Sequence, residues 1–287
     1  MKKFQYLPNL ISKIFFFSFC LFFFLTTFFK LSPLKSDWLI PDYPIYNITE
    51  VKNEKYNSNL SFINSMPKLK KYFLQEIESQ KLTNIESIYF ADQLLRNRFY
   101  HGELVISLSD NWFLYVLNFF TKNKNNSMYI SSLDPDYILT SDHALCNQQA
   151  LVFQELMKII GIEYQSVLFN IPSSPKPFGH FASAALIDAN WYFIDTNLEP
   201  LYPLNDSSIL PRLLNSDIDL FNSLYPEYSL GNIPIGSIST SFLNQNPAFF
   251  GNLFQKITYL ISNYFWLLCL FAYFCCTFFS NKSLREE

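Results

Sequence analysis

The chain of 287 residues has only 6 Gly, 5 Cys and 3 His, and 16% of it is charged. So little glycine excludes a collagen-like repeat. With 49% hydrophobic residues, it is not a disordered chain either. No run of positive charge offsets the formal net charge of −3, so nothing points to nucleic acid. The cysteines are placed unevenly. Cys20, Cys269, Cys275 and Cys276 lie in apolar runs, which leaves Cys146 as the single thiol of the middle. Neither a disulfide framework nor a four-ligand Cys/His metal site is expected, and no cofactor is called for. Internal repeats are also missing.

Phenylalanine is what the chain has in excess, 32 residues of it. Residues 14–29 carry no charge and contain nine Phe, between Lys13 and Lys30. A positive start ahead of an apolar stretch predicts an uncleaved signal anchor over residues 1–31, with a cleaved signal peptide as the alternative. No Ala-x-Ala-like cleavage site follows. Residues 259–279 form a second uncharged run of 21, long enough for a helical span within residues 257–280. Lys2, Lys3 and Lys13 precede the first run, and Lys282 and Arg285 follow the second. The positive-inside rule then puts both termini in the cytoplasm, with residues 281–287 as a cytoplasmic tail. The middle faces the periplasm or the exterior of a cell or inner membrane. Between residues 31 and 256 there are 15 Lys and Arg against 22 Asp and Glu, an acidic, soluble surface.

Within the middle, residues 32–65 read as a spacer, 66–205 as the principal domain, and 206–256 as an extension and linker. Leu69, Phe73 and Ile77 have helical spacing, and Thr83-Asn84-Ile85-Glu86 is a capping-box pattern for a helix to about Arg98. His101 reads as a residue at the end of that helix. Ser109 or Asp110 is the expected cap of another helix through Phe120, ended by a polar tract. A helix opens at Cys146, with Ala150, Phe153 and Met157 on its apolar face and Gln148 and Gln154 elsewhere, and Gly161 stops it. Glu163–Phe169 reads as a strand and 171–178 as a Pro-rich loop. His180–Ile187 and Asn190–Asp195 form a hairpin over Asp188-Ala189. A short helix is expected around Ile209 to Asn215, and a loop from Leu230 to Pro247.

A cysteine at a helix start, a histidine at a strand start and an aspartate at the next strand's end each have a chemical use. Helix N–H groups and the macrodipole favour a thiolate. Imidazole carries the proton, and a carboxylate orients the imidazole. With Asp188-Ala189 as a two-residue turn, Asp195 falls opposite Ala182, diagonal to His180 on one face. Ala182 and Ala184 would then leave room for the Cys146 helix, with Trp191 and Phe193 as an apolar wall.

The segments CNQQALVFQELMKIIGIEYQSVLF and GHFASAALIDANWYFIDTNLEP resemble the transglutaminase-like superfamily, in particular a bacterial membrane-attached branch. The resemblance implies an α+β, papain-like core, with a nucleophile helix packed on an antiparallel sheet. It implies amide hydrolysis or transamidation through a thioester, with Cys146 as nucleophile, His180 as acid and base, and Asp195 as orienter. The substrate would be an amide in a peptide or envelope protein. The oxyanion-stabilising side chain has no assigned position; Trp112, Asn111 and Tyr137 are candidates, and Trp191 is a substrate-wall candidate. The alternative is a non-catalytic module of the same fold that binds an assembly partner in envelope or exopolysaccharide biogenesis.

Overall fold

The computed structural model describes residues 6–32, 55–121, 130–171, 178–197, 200, 205–226 and 238–283. The spacer from residue 33 to 54, the polar tract after Thr121, the Pro-rich stretch 172–177, residues 230–237 of the 230–247 loop, Leu198, Glu199, Lys2, Lys3 and Arg285 lie outside these. In chain order the helices are α1 (Tyr6–Leu31), α2 (Met66–Gln80), α3 (Asn84–Arg98), α4 (Trp112–Thr121), α5 (Pro135–Ile138), α6 (Cys146–Ile159), α7 (Ile209–Leu214), α8 (Ile218–Leu224) and α9 (Phe249–Ser283). The strands are β1 (Tyr100–His101), β2 (His143–Ala144), β3 (Glu163–Ile171), β4 (Phe178–Ile187), β5 (Asn190–Ile194) and β6 (Ser239–Thr240). The protein is α+β with an antiparallel sheet and two apolar terminal helices.

The chain divides into two compact units. One comprises residues Met1–Pro44, Val105–Ser131 and Gly251–Glu287, and the other Ile45–Leu104 and Ser132–Phe250. The principal domain expected over 66–205 is therefore interrupted by a segment that clusters with the terminal helices. The larger unit also takes in residues 45–65 and 206–250, with Ile63 in its core.

In the larger unit the sheet order is β5-β4-β3-β6, with every pairing antiparallel. The hairpin has the register that the turn predicts, Ile187 opposite Asn190 and Ala184 opposite Phe193. Asp188 and Ala189 take φ of 48° and 63°, so an alanine occupies a position that ordinarily favours glycine. Thr83 caps α3 with the full capping box. Gly161, at φ 72°, ends α6, and the next amide, that of Ile162, returns to the Met157 carbonyl.

Two cores lie on opposite faces of the sheet. On one, Leu151, Val152, Phe153, Leu156 and Met157 of α6 pack with α2, α3, Tyr164, Ala185, Ile187 and Ile194. On the other, Val167, Phe169, Ala182, Ala184 and Phe193 are covered by α7 and α8 through Ile209, Leu210, Leu213, Leu220 and Phe221. Ala182 and Ala184 thus face α7 and α8, not the Cys146 helix. Strand residues alternate faces, and α6 takes the one carrying Ser183 and Ala185. Without residues 209–225 the second face would be bare, which makes this stretch part of the fold. β6, within the stretch expected to be a loop, extends the sheet edge along Val167 and Leu168.

In the smaller unit α1 and α9 run antiparallel, Thr26 Oγ1 donating to the Ser262 carbonyl at 2.7 Å and Phe22 meeting Phe265 edge-on at 4.7 Å. Residues Leu10–Leu31 and Phe249–Phe278 are long and apolar enough to span a membrane. α9 begins ten residues before the expected run. α4 is capped by Asn111, whose Oδ1 accepts from the Leu114 amide, and not by Ser109 or Asp110.

Candidate active site

Cys146 is the first residue of α6 and half-buried. Its amide is among the first four of the helix, which have no intrahelical carbonyl to bond and meet a neighbouring anion favourably. Two glutamines hold this entry. Gln148 Oε1 accepts from the amides of Leu104 (3.0 Å) and Leu145 (3.1 Å), and its Nε2 donates to the carbonyls of Leu104 (2.7 Å) and Ser132 (3.1 Å). Gln149 Nε2 donates to the Ala144 carbonyl at 2.9 Å. Gln154, expected away from the apolar face, is also buried and donates to the hydroxyls of Ser166 and Ser183. The polar side of this helix is inside because each amide nitrogen finds strand or loop partners, while Oε1 of Gln149 and of Gln154 is buried with none among the described residues.

His180 lies near the start of β4. Its Nε2 meets Asp195 Oδ2 at 2.5 Å, and the Cys146 side chain is near enough to act on the same ring. With Nε2 engaged, Nδ1 is the nitrogen left for the thiol. Burial on its own would lower the His180 pKa. The Asp195 carboxylate and the sulfur of Cys146 outweigh it and hold the imidazolium well above the usual histidine range. Imidazole and carboxylate are hydrogen-bonded, and the sulfur of Cys146 lies near the same imidazole.

Asp195 is 2% exposed, and every oxygen it carries is engaged. Oδ2 accepts from Tyr225 Oη at 2.7 Å as well as facing His180, Oδ1 accepts from the Asn197 amide at 3.2 Å, and the backbone carbonyl accepts from Arg96 Nη2. Arg96 in turn donates through Nε to both Asp92 oxygens, at 3.0 and 3.1 Å, and through Nη1 to the Pro200 carbonyl. Burial pushes the Asp92 carboxyl up to about 6, with Arg96 opposing.

The third histidine of the chain beyond His143 and His180 is also close. His101 is in β1, not at a helix end, because β1 pairs in parallel with β2 and sets His101 opposite Ala144, two residues before Cys146. Its Nδ1 lies 2.9 Å from Asn197 Oδ1, which as an amide oxygen receives the ring proton. Burial lowers its pKa, and the nearby His180 lowers it further.

The remaining sequence candidates are placed as follows. Trp112 is 3% exposed, packs on Phe22 and Phe29, and gives its one indole donor to the Ser262 carbonyl. Asn111 Nδ2 is bound to the Gln255 carbonyl and Thr258 Oγ1. Both donors are thus engaged within the unit of the terminal helices. Tyr137 is half-buried in α5. Trp191 packs at the margin of the second core, where Phe193 is fully buried. Tyr225, Asn197, His101 and Arg96 were not singled out from the sequence as site residues. The scarcity of histidine was a usable signal for His101; Tyr225 is one tyrosine among 18 with no local mark. Among the described residues, no group of three His, Cys, Asp or Glu could hold a metal ion.

No protein-family model, curated protein or solved structure matches the chain.

Proposed function

We propose that the protein is a membrane-anchored thiol acyl-transfer enzyme of the transglutaminase-like type, built on a papain-like core and acting on peptide or protein amides outside the cytoplasm. The observation that carries this reading is His180, hydrogen-bonded through Nε2 to buried Asp195 and close to the Cys146 side chain at the start of α6.

In this reading the Cys146 sulfur attacks the amide carbonyl carbon while its proton resides on His180. The Cys146 amide, at the open end of α6, donates to the oxygen that becomes negative. The C–N bond breaks as His180 returns the proton to the departing amine, leaving a thioester on Cys146. Water or a second amine then gives a proton to His180 and attacks the thioester. The C–S bond breaks, and Cys146 regains its proton. Asp195 stays ionised and orients the ring. Lys2, Lys3 and Lys13 precede the first apolar run and Lys282 and Arg285 follow the second, so two crossings return both termini to the cytoplasmic side.

Iodoacetamide alkylation of the full-length protein, quantified at the Cys146 peptide against pH, tests the reading. Cys146 is expected to label below pH 7 at least about tenfold faster than a thiol of ordinary pKa near 8.5, and to lose that advantage in His180→Ala. A wild-type profile with an ordinary thiol pKa overturns the proposal.

A further inference from the structure

We infer that α4 is a third membrane-contacting element, a short helix seated in the lipid boundary beside the two apolar terminal helices, with Phe119 and Phe120 facing lipid. The inference rests on the membrane reading of α1 and α9, and is independent of the chemistry at Cys146.

The first observation is depth. Trp112 stacks on Phe29 with ring centroids 5.6 Å apart and packs on Phe22 at 5.9 Å. Those residues lie two and nine positions before Leu31, about 3 and 13 Å along a helix rising 1.5 Å per residue. On α9 the indole reaches Ser262, the residue that Thr26 also meets. The start of α4 is therefore level with the outer part of the apolar stretch, where a hydrocarbon core of about 30 Å would already have begun.

Polar satisfaction is the second. A helix end can enter an apolar phase only if its orphan amides and neighbouring polar side chains are paired internally. Here the Phe113 amide donates to Ser262 Oγ and the Leu114 amide to Asn111 Oδ1, while Ser262 Oγ donates to Asn111 Oδ1. Asn263 Nδ2 takes the Asp110 carbonyl and Asn111 Nδ2 the Gln255 carbonyl. The start of α4 is wired to α9 through these bonds, which pair the Phe113 and Leu114 amides internally.

Composition and exposure are the third. From Val105 to Thr121 the single formal charge is Asp110. The segment enters and leaves through the bridged pair Val105 and Ser131. At the far end of α4, Phe119 is 54% and Phe120 73% exposed. Two adjacent phenylalanines bared on a charge-free helix, beside two helices able to span a bilayer, match a lipid surface and nothing polar.

The test replaces Phe120 with a diazirine-bearing phenylalanine analogue in the full chain, reconstituted in vesicles of phosphatidylethanolamine and phosphatidylglycerol. Irradiation is followed by mass spectrometry of the labelled peptide. Leu268, exposed on α9, and Leu214, exposed on α7, receive a photoreactive analogue in parallel. Lipid adducts at 120 and 268, with water adducts at 214, are expected. Lipid at 268 with water or a protein cross-link at 120 overturns this inference alone. Water at 268 overturns the membrane reading beneath it.

Discussion

Tyr225 Oη donates to Asp195 Oδ2 at 2.7 Å, the same oxygen that His180 Nε2 meets at 2.5 Å. The tyrosine is fully buried, lies 30 residues beyond the aspartate, and packs its ring on those of Phe169 and His180. The positive end of its hydroxyl dipole lies beside the His180–Asp195 pair and disfavours the imidazolium. Tyr225→Phe removes that opposition while leaving the ring. The alkaline limb of the Cys146 alkylation profile is expected to move up by about half to one pH unit, where one unit corresponds to about 1.4 kcal/mol. Loss of a hydrogen bond to a charged acceptor should cost about 1.5–3 kcal/mol in denaturant melts. An unmoved limb would mean that the hydroxyl only fills space.

Asp195→Asn is expected to act in the opposite direction. The carboxylate is the main group lifting the His180 pKa against burial. Because the folded value is raised, His180 contributes stability that is fully present below the unfolded pKa near 6.5 and is lost as pH rises through the folded value. The variant should lose that pH dependence, and its alkaline limb should fall toward neutrality. Melts from pH 5 to 9 beside the alkylation profile check both.

Arg96→Ala should leave Asp92 as an unpaired buried carboxyl, at a cost of about 3–5 kcal/mol at pH 7.5. Asp92 is held up at about 6 by burial even with Arg96 present. A raised carboxyl binds its proton more readily folded than unfolded, so its protonation favours folding as pH falls through 6. The variant's deficit is thus expected to shrink at pH 5. Urea titrations at the two pH values measure it, and an equal deficit would place the cost in the lost bonds to the Asp195 and Pro200 carbonyls.

Phe221→Ala tests the second core. Phe221 is 1% exposed and packs edge-on against Phe169 and beside Tyr225. Truncation of a buried phenylalanine costs about 3–5 kcal/mol. The same change should loosen Tyr225 and move the alkaline limb of Cys146 alkylation up, in the direction expected for Tyr225→Phe. Stability that falls with labelling unchanged would uncouple α8 from the site.

Ala189→Gly is expected to stabilise. Ala189 sits at φ 63°, a conformation that costs an L-residue about 1 kcal/mol and glycine almost nothing. A gain of about 0.5–1 kcal/mol, or a few degrees in Tm, is the measurable outcome.

Much of the larger unit was legible from neighbouring residues. The capping box at Thr83, the glycine stop after α6 and the Asp188-Ala189 hairpin all act within a few residues, and the hairpin register brings Asp195 diagonal to His180. Which face of that hairpin met which helix was not legible. Ala182 and Ser183 are both small and both buried, so the pattern around them has no polar side to identify. For the same reason Gln148 and Gln154 read as outward residues. Their amides are buried because partners lie in Leu104, Ser132, Ser166 and Ser183, far away in sequence.

The order of residues by itself determined the two long apolar helices, the helix that opens at Cys146, and the turn that aligns His180 with Asp195. These rest on hydrophobic run length, end-capping and turn chemistry, which are interactions of near neighbours. Only the tertiary structure decided that α7 and α8 close the second face of the sheet and deliver Tyr225 to Asp195. It likewise decided that His101 stands opposite Ala144 and that α4 belongs with the terminal helices. Those arrangements depend on covering apolar surface and pairing buried polar atoms across long stretches of chain, and no local pattern encodes which distant segment does so.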